Sequence, residues 1–153
     1  MIGLLQRVAE ARVVVEGECV GAIDRGLLVL LAVEPQDGPA EAERLIDRLA
    51  NYRVFPDADD RMNLGLAQIG GELLLVPQFT LAADTRKGLR PSFTGAAPPE
   101  LGRRLFEHAV AVAREKLPGK VATGRFGADM KVSLTNDGPV TFWLRISAGN
   151  ENG

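Results

Sequence analysis

The longest apolar run in the chain spans residues 26–33, GLLVLLAV. Residues 27–33 show no alternation of polar and apolar side chains, so they read as a strand buried on both faces. The run is 8 residues long, far short of the ~20 that a membrane-spanning helix needs. A strand of this kind needs an ordinary core around it. The 153 residues are enough: a chain of this length forms one domain and buries ~68–70% of its unfolded surface.

Composition narrows the chemistry. Hydrophobic residues make up 46% and charged residues 25%, a balance that excludes a disordered chain. There is one cysteine, Cys19, and one histidine, His108. No internal disulfide is possible, and a single chain cannot assemble a Cys/His zinc site. A histidine-based triad would rest on His108 alone. The net charge is −2 and the pI about 5.5, which speaks against non-specific nucleic-acid binding and DNA. A local basic patch that grips a short RNA end remains compatible with it. Arg7, Glu10 and Arg12 come too early for a signal peptide. The chain reads as soluble and cytoplasmic, without a membrane partner.

The order of elements can be read along the chain. Residues 2–8 and 12–16 look extended, followed by a turn at Glu16-Gly17-Glu18 and a strand over 19–24. Arg25-Gly26 reads as a second turn, and the buried strand follows. The period then changes. Ala42, Leu45, Ile46 and Leu49 recur at helical spacing, with Asp37 as the expected cap and Pro39 in the first turn. The run 56–60 is a polar turn, and Gly70-Gly71 launches a strand over 72–76. Pro77 ends or interrupts that strand, because proline cannot donate to a ladder. Residues 82–99 form a long irregular stretch, of the kind that often carries function. Pro99 opens a second helix with Leu101, Leu105, Phe106, Ala109, Val112 and Ala113 inward, and Pro118-Gly119 stops it. Strands over 121–126, 130–135 and 140–146 complete a domain of residues 1–147. Residues 148–153 read as a flexible tail. Short turns between neighbouring strands favour antiparallel pairing. The expected class is α+β: a mostly antiparallel, barrel-like sheet with two main helices.

Most reactive residues are eliminated by context. His108 reads as a surface or half-buried helix residue, and Cys19 as a small buried hydrophobe in a strand. Asp57, Asp59 and Asp60 lack the glycine and terminal glutamate of a calcium loop. Two segments remain. Pro77-Gln78-Phe79-Thr80-Leu81 places an amide, an aromatic and a hydroxyl at a strand end; a site, or simply a strand end with Phe79 in the core, would both fit. Asn136-Asp137-Gly138-Pro139-Val140-Thr141 is equally well explained as a bare turn.

At these residues the chain resembles the D-aminoacyl-tRNA deacylases, the D-tyrosyl-tRNA deacylase family. The resemblance runs from Met1 to about Arg145. It is carried by Gln6-Arg7-Val8, the segment from Gln78 to Thr85, Arg90-Pro91-Ser92-Phe93, Gly124-Arg125-Phe126 with Ala128-Asp129-Met130, and the segment from Asn136 to Phe142. It implies a homodimer with active sites at the interface, free of metal and cofactor. The implied activity is hydrolysis of D-aminoacyl-tRNA, and of glycyl-tRNA mischarged on tRNA(Ala). It further implies that Gly138-Pro139 is cis, enters the partner's site and rejects L-aminoacyl esters, with Arg7 holding that loop. Gln78, Phe79 and Thr80 would line the reacting ester, and Phe126 and Met130 the adenosine end. Thr80 has no base near it in sequence, so a pocket role with water attacking is the preferred reading. Arg86, Lys87 and Arg90 read either as a solvated charged loop or as phosphate contacts near the tRNA acceptor end. One position departs from the family pattern: Pro77 stands where serine is usual, removing a hydroxyl and an N–H. Pro77 is the feature that favours an alternative, a non-catalytic aminoacyl-tRNA-binding module.

Overall fold

The structure, a computed structural model, describes residues 1–149. Among the described residues there are eight strands: β1 (Ile2–Val15), β2 (Glu18–Ile23), β3 (Gly26–Ala32), β4 (Phe55–Pro56), β5 (Met62–Leu64), β6 (Glu72–Pro77), β7 (Val121–Thr123) and β8 (Lys131–Arg145). The helices are α1 (Pro39–Asn51), α2 (Leu66–Ile69) and α3 (Pro99–Lys116), with a 3₁₀ turn over Phe79–Ala82. The main sheet runs β2-β1-β3-β6-β7, with β8 paired to β1. The sheet curls until β2 meets β7: a Cβ on Gly21 would lie 2.4 Å from the Thr123 carbonyl oxygen. The result is a nearly closed, barrel-like α+β domain.

Burial on both faces of β3 is visible side chain by side chain. Leu27, Val29 and Leu31 join a cluster with Leu45, Ile46 and Leu49 of α1 and Leu105, Phe106 and Ala109 of α3. Leu28 points the other way, into a cluster inside the curled sheet with Val8, Val13 and Leu74. β6 divides in the same manner, with Leu73 and Leu75 under the helices and Leu74 and Val76 inside. Period-2 geometry therefore feeds two cores, which is why neither strand alternates in sequence.

The sheet is mostly antiparallel, as expected, but it also contains two parallel pairs. β1 pairs antiparallel with β2, β3 and β8. β3–β6 and β6–β7, however, are parallel. A short turn joins β1 to β2 as expected, whereas β8 reaches β1 from the far end of the chain; α1 and α3 are the long crossovers that parallel strands require. Several boundaries also shift. The two N-terminal segments are one strand, β1. The strand expected over 121–126 ends at Thr123, where the chain leaves the ladder as a loop. The last two expected strands are halves of β8. Helix α2 is too short for periodicity to reveal. Asp37 does not cap α1. Gly38 occupies that position, its N–H held by the Glu41 carboxylate at 2.7 Å. Asp37 instead accepts from the Met1 amino group at 2.8 Å and the Glu34 N–H at 2.7 Å.

Asp57 accepts from the backbone N–H groups of Asp59 and Arg61 at 2.8 and 3.1 Å, which makes 56–60 the polar turn it resembled. Of the expected tail, Ala148 and Gly149 form a turn, and residues 150–153 lie outside the described residues. Among the described residues no helix is long and apolar enough to cross a membrane.

Candidate active site

The parallel strands β3, β6 and β7 bring their carboxyl ends to one edge, where loops of α/β-type sheets form crevices. A cavity of about 480 Å³ opens there. Leu31 and Val33 line it from β3 and just beyond, and Pro77, Gln78 and Phe79 from the end of β6. Gly102 and Phe106 of α3 form a second side, and Phe126, Gly127 and Met130 of the loop after β7 a third. Among the described residues no titratable side chain belongs to the wall. Among the described residues no cluster of three His, Cys, Asp or Glu side chains could hold a metal ion.

Pro77 fits this edge without breaking the sheet. Leu73 N–H bonds to Lys120 and the Leu75 carbonyl to Gly124 on the β7 side, while Gln78 N–H reaches the Leu31 carbonyl of β3 at 2.8 Å. Alternation puts the N of residue 77 on the β7 side, beyond the point where β7 has ended. Proline there costs no ladder hydrogen bond. Phe79 is not a core residue: it is 59% exposed and packs on Phe93 with ring centroids 5.2 Å apart. Thr80 is exposed and outside the cavity wall, and its hydroxyl accepts a close hydrogen bond from the Gln78 amide. Met130 is held where Gly124 leaves room for it, since a Cβ there would lie 2.8 Å from the Met130 sulfur. The same sulfur accepts from the Arg125 N–H at 3.4 Å.

The Gly-Pro segment lies elsewhere. Gln6 pairs with Thr141 and Val8 with Asn136, so Arg7 alone faces a bulge of residues 137–140. The Gly138–Pro139 peptide within it is cis. A Cβ on Gly138 would meet the Val140 nitrogen at 2.7 Å, so only glycine fits. Two side chains hold the bulge. Arg7 Nε donates to the Asp137 carbonyl at 2.8 Å and Arg7 Nη1 to the Val54 carbonyl at 2.7 Å. Asn136 spans its base, accepting from Val140 N–H at 2.7 Å and donating to Val140 O and Thr141 Oγ1 at 3.2 and 3.0 Å. Asn136 was legible from sequence only as part of a candidate turn, and the Val54 carbonyl not at all; a turn-forming asparagine gives no sign of clamping a bulge. Gly138 and Pro139 are exposed and take no part in the cavity of their own chain.

Comparison with known proteins decides the family. The model of the D-Tyr-tRNA(Tyr) deacylase family matches residues 4–145. The chain belongs to the D-Tyr-tRNA(Tyr) deacylase family. Among curated relatives, a D-aminoacyl-tRNA deacylase of Pseudomonas fluorescens (strain Pf0-1) is 63% identical over 145 residues, covering 95% of this chain and 99% of the relative. One from Haemophilus influenzae (strain PittGG) is 58% identical over 146 residues, covering 95% and 100%. Among solved structures, the c-Myc DNA unwinding element binding protein superposes with a TM-score of 0.92 at 36% identity, covering 97% of this chain and 100% of that one. A structure described as a probable eukaryotic D-amino acid tRNA deacylase matches in fold, with a TM-score of 0.82 at 17% identity over 95% and 98% of the two chains.

In this family member the histidine and cysteine stand apart from the cavity. His108 is half-buried on α3, with Nε2 3.1 Å from a Glu43 carboxylate oxygen of α1. Cys19 is exposed, not buried as its strand context suggested. It pairs with Val14 where the β1–β2 register slips. The basic loop is mixed in character. Arg86 is bound to Asp84 through Nε at 2.9 Å and Nη2 at 2.7 Å, and its own N–H donates to the same carboxylate. Lys87 and Arg90 are exposed, and their side chains make no ion pair or hydrogen bond among the described residues.

The Arg86 hydrogen bonds lower the Asp84 carboxyl from 3.8 to about 2. A lowered folded-state pKa means that the pair contributes above the ordinary carboxyl value and is lost as pH falls through the folded value. Asp84 is therefore expected to stay ionised, and its bond to Arg86 intact, well below pH 3.8. Carboxyl ¹³C chemical shifts recorded against pH check this; a midpoint at the ordinary value would show that the pair does not persist in solution.

Proposed function

We propose that this family member hydrolyses the ester joining a D-amino acid to the terminal ribose of tRNA, and likewise clears glycine from mischarged tRNA(Ala). The observation that carries the reading is an uncharged cavity in a chain whose exposed Gly138-Pro139 bulge is held in a fixed shape by Arg7 and Asn136. Water adds to the ester carbonyl, the carbon–oxygen bond to ribose breaks, and the free amino acid and the tRNA hydroxyl leave. An aminoacyl ester is already activated, so positioning and hydrogen-bond donors suffice. Gln78 and Phe79 of the wall and Thr80 beside it position the ester. Phe126 and Met130 receive the adenosine. Lys87 and Arg90, together with Arg86 paired to Asp84, supply a basic rim for tRNA phosphates.

The active form is a homodimer. β8 has one neighbour, β1, along its 15 residues, and exposes Trp143 and Phe142. A long, unpaired edge with exposed aromatics is a surface for a second chain. Docking a second copy carries its Gly138-Pro139 bulge to the cavity. Its backbone carbonyls then hold the substrate ammonium and leave no space for an L side chain. A ~10⁴-fold preference corresponds to roughly 5.5 kcal/mol, within reach of steric conflict against a stiff loop. The cytoplasm, where aminoacyl-tRNA is found, is the proposed location.

The test is hydrolysis of D-tyrosyl-tRNA beside L-tyrosyl-tRNA, with a chelator present. Rapid loss of the D ester alone is expected. Loss of neither ester would overturn the reading in favour of a binding module, which is what a disabling Pro77 would produce.

A further inference from the structure

We propose that Arg103 binds the phosphodiester that joins the terminal nucleoside of the substrate to the rest of the RNA, a role that rests on the tRNA reading above. Among the described residues three arginines lie over aromatic rings: Arg25 over Phe55, Arg48 over Tyr52 and Arg103 over Phe126. Only Phe126 belongs to the wall of the cavity. The Arg103 guanidinium carbon is 4.9 Å from the Phe126 ring centroid. A Cβ placed on Gly127, the next wall residue, would lie 3.8 Å from Arg103 Nη2. The group is thus fixed where α3 meets the loop after β7, at the edge of the cavity.

Its charge is uncompensated. Glu100 and Glu107 lie three residues before and four after Arg103 on α3, the spacings at which helix ion pairs form. Neither pairs with it among the described residues. Arg103 shares this with Lys87 and Arg90, whereas Arg86 is held by Asp84 and Lys131 by Asp129; what sets Arg103 apart is that its ring partner belongs to the cavity wall. A guanidinium held over a ring by its charge spends no N–H donor on that contact, and the fork of donors matches phosphate.

The chemistry of the cavity says which phosphate. Its wall has no charge, which suits an uncharged nucleoside and ester. The first anion outward from a terminal nucleoside is its own 5′ phosphodiester. A planar cation at the edge of that wall meets it there, fixing the depth and direction of entry without reading sequence.

The test compares the native protein with Arg103→Gln and Arg103→Lys on two substrates, D-tyrosyl-tRNA and a D-tyrosyl ester of adenosine carrying no phosphate. Arg103→Gln is expected to raise KM for the tRNA roughly tenfold, more than it lowers kcat. The preference for tRNA over the adenosine ester should fall by the same factor. The slope of log affinity against log salt should shrink by ~0.7, the value for one single-strand phosphate. Arg103→Lys should recover part of the loss. Equal losses on both substrates would overturn the proposal, because Arg103 would then act only by supporting Phe126. If the native protein hydrolyses neither ester, the tRNA reading fails, and binding of a short RNA ending in CCA still tests Arg103. Weaker, less salt-dependent binding by Arg103→Gln supports the contact, and unchanged binding overturns it.

Discussion

Arg7→Ala is expected to slow D-tyrosyl-tRNA hydrolysis by ~100-fold or more, the scale on which a misplacement of about 1 Å acts. The fold should survive, because Arg7 is only half-buried and its two acceptors are backbone carbonyls outside the β1 ladder. Without the guanidinium, the Asp137 carbonyl loses its tie to Val54, and only Asn136 holds the four-residue bulge. Lysine should rescue poorly. A single ammonium lacks the fork that reaches both carbonyls. If the bulge excludes the L side chain as proposed, selectivity should fall with rate. The same variant tests the arrangement between subunits. In the proposed dimer, equal mixing and reassembly with Gln78→Ala makes half the dimers hybrids, each with one site that has both an intact loop and an intact wall. About a quarter of native activity should return. No recovery would place the loop in its own chain's site, and a native rate for Arg7→Ala would remove Arg7 from the mechanism.

Gly26→Ala is expected to be among the most damaging single substitutions in the chain. A Cβ there would lie 1.8 Å from the Glu72 carbonyl oxygen and 2.7 Å from the Glu72 nitrogen. Both are backbone atoms of β6, the strand paired with β3 on that side. Val8 of β1 pairs on the other side, so β3 has no direction in which to yield. Overpacking that a side chain cannot relieve costs more than ~3 kcal/mol. At ~2–4 °C per kcal/mol for a domain of this size, the melting temperature should drop by at least ~6 °C. Urea unfolding followed by circular dichroism measures it, and a loss below about 1 kcal/mol would mean that the β3–β6 spacing is looser than the structure shows.

Gly26 also marks a limit of sequence reading. After arginine and between two strands it looks like a turn glycine. Its actual role is to let two strands approach, which depends on a residue 46 positions later. Phe79 is a second case. Its neighbours permit a core position or a site position equally well, and the choice is made by Phe93 and by the open edge of the sheet. By contrast, the double burial of residues 27–33, the inward faces of α1 and α3 and the polar turn at 56–60 were all legible, because each depends on neighbours within a few residues.

Local pattern and composition were enough to establish one α+β domain with a fully buried central strand, a chemistry confined by its single histidine and cysteine, and the motifs of the D-Tyr-tRNA(Tyr) deacylases. Tertiary structure decided the rest. It made β3, β6 and β7 parallel, so that Gln78 and Phe126 share one cavity. It set Arg7 opposite residue 137, 130 positions away. It placed the Gly138-Pro139 bulge outside that cavity. The physical reason is that periodicity reports only how a residue is buried, whereas register and strand direction depend on pairings between distant segments, which no local pattern encodes.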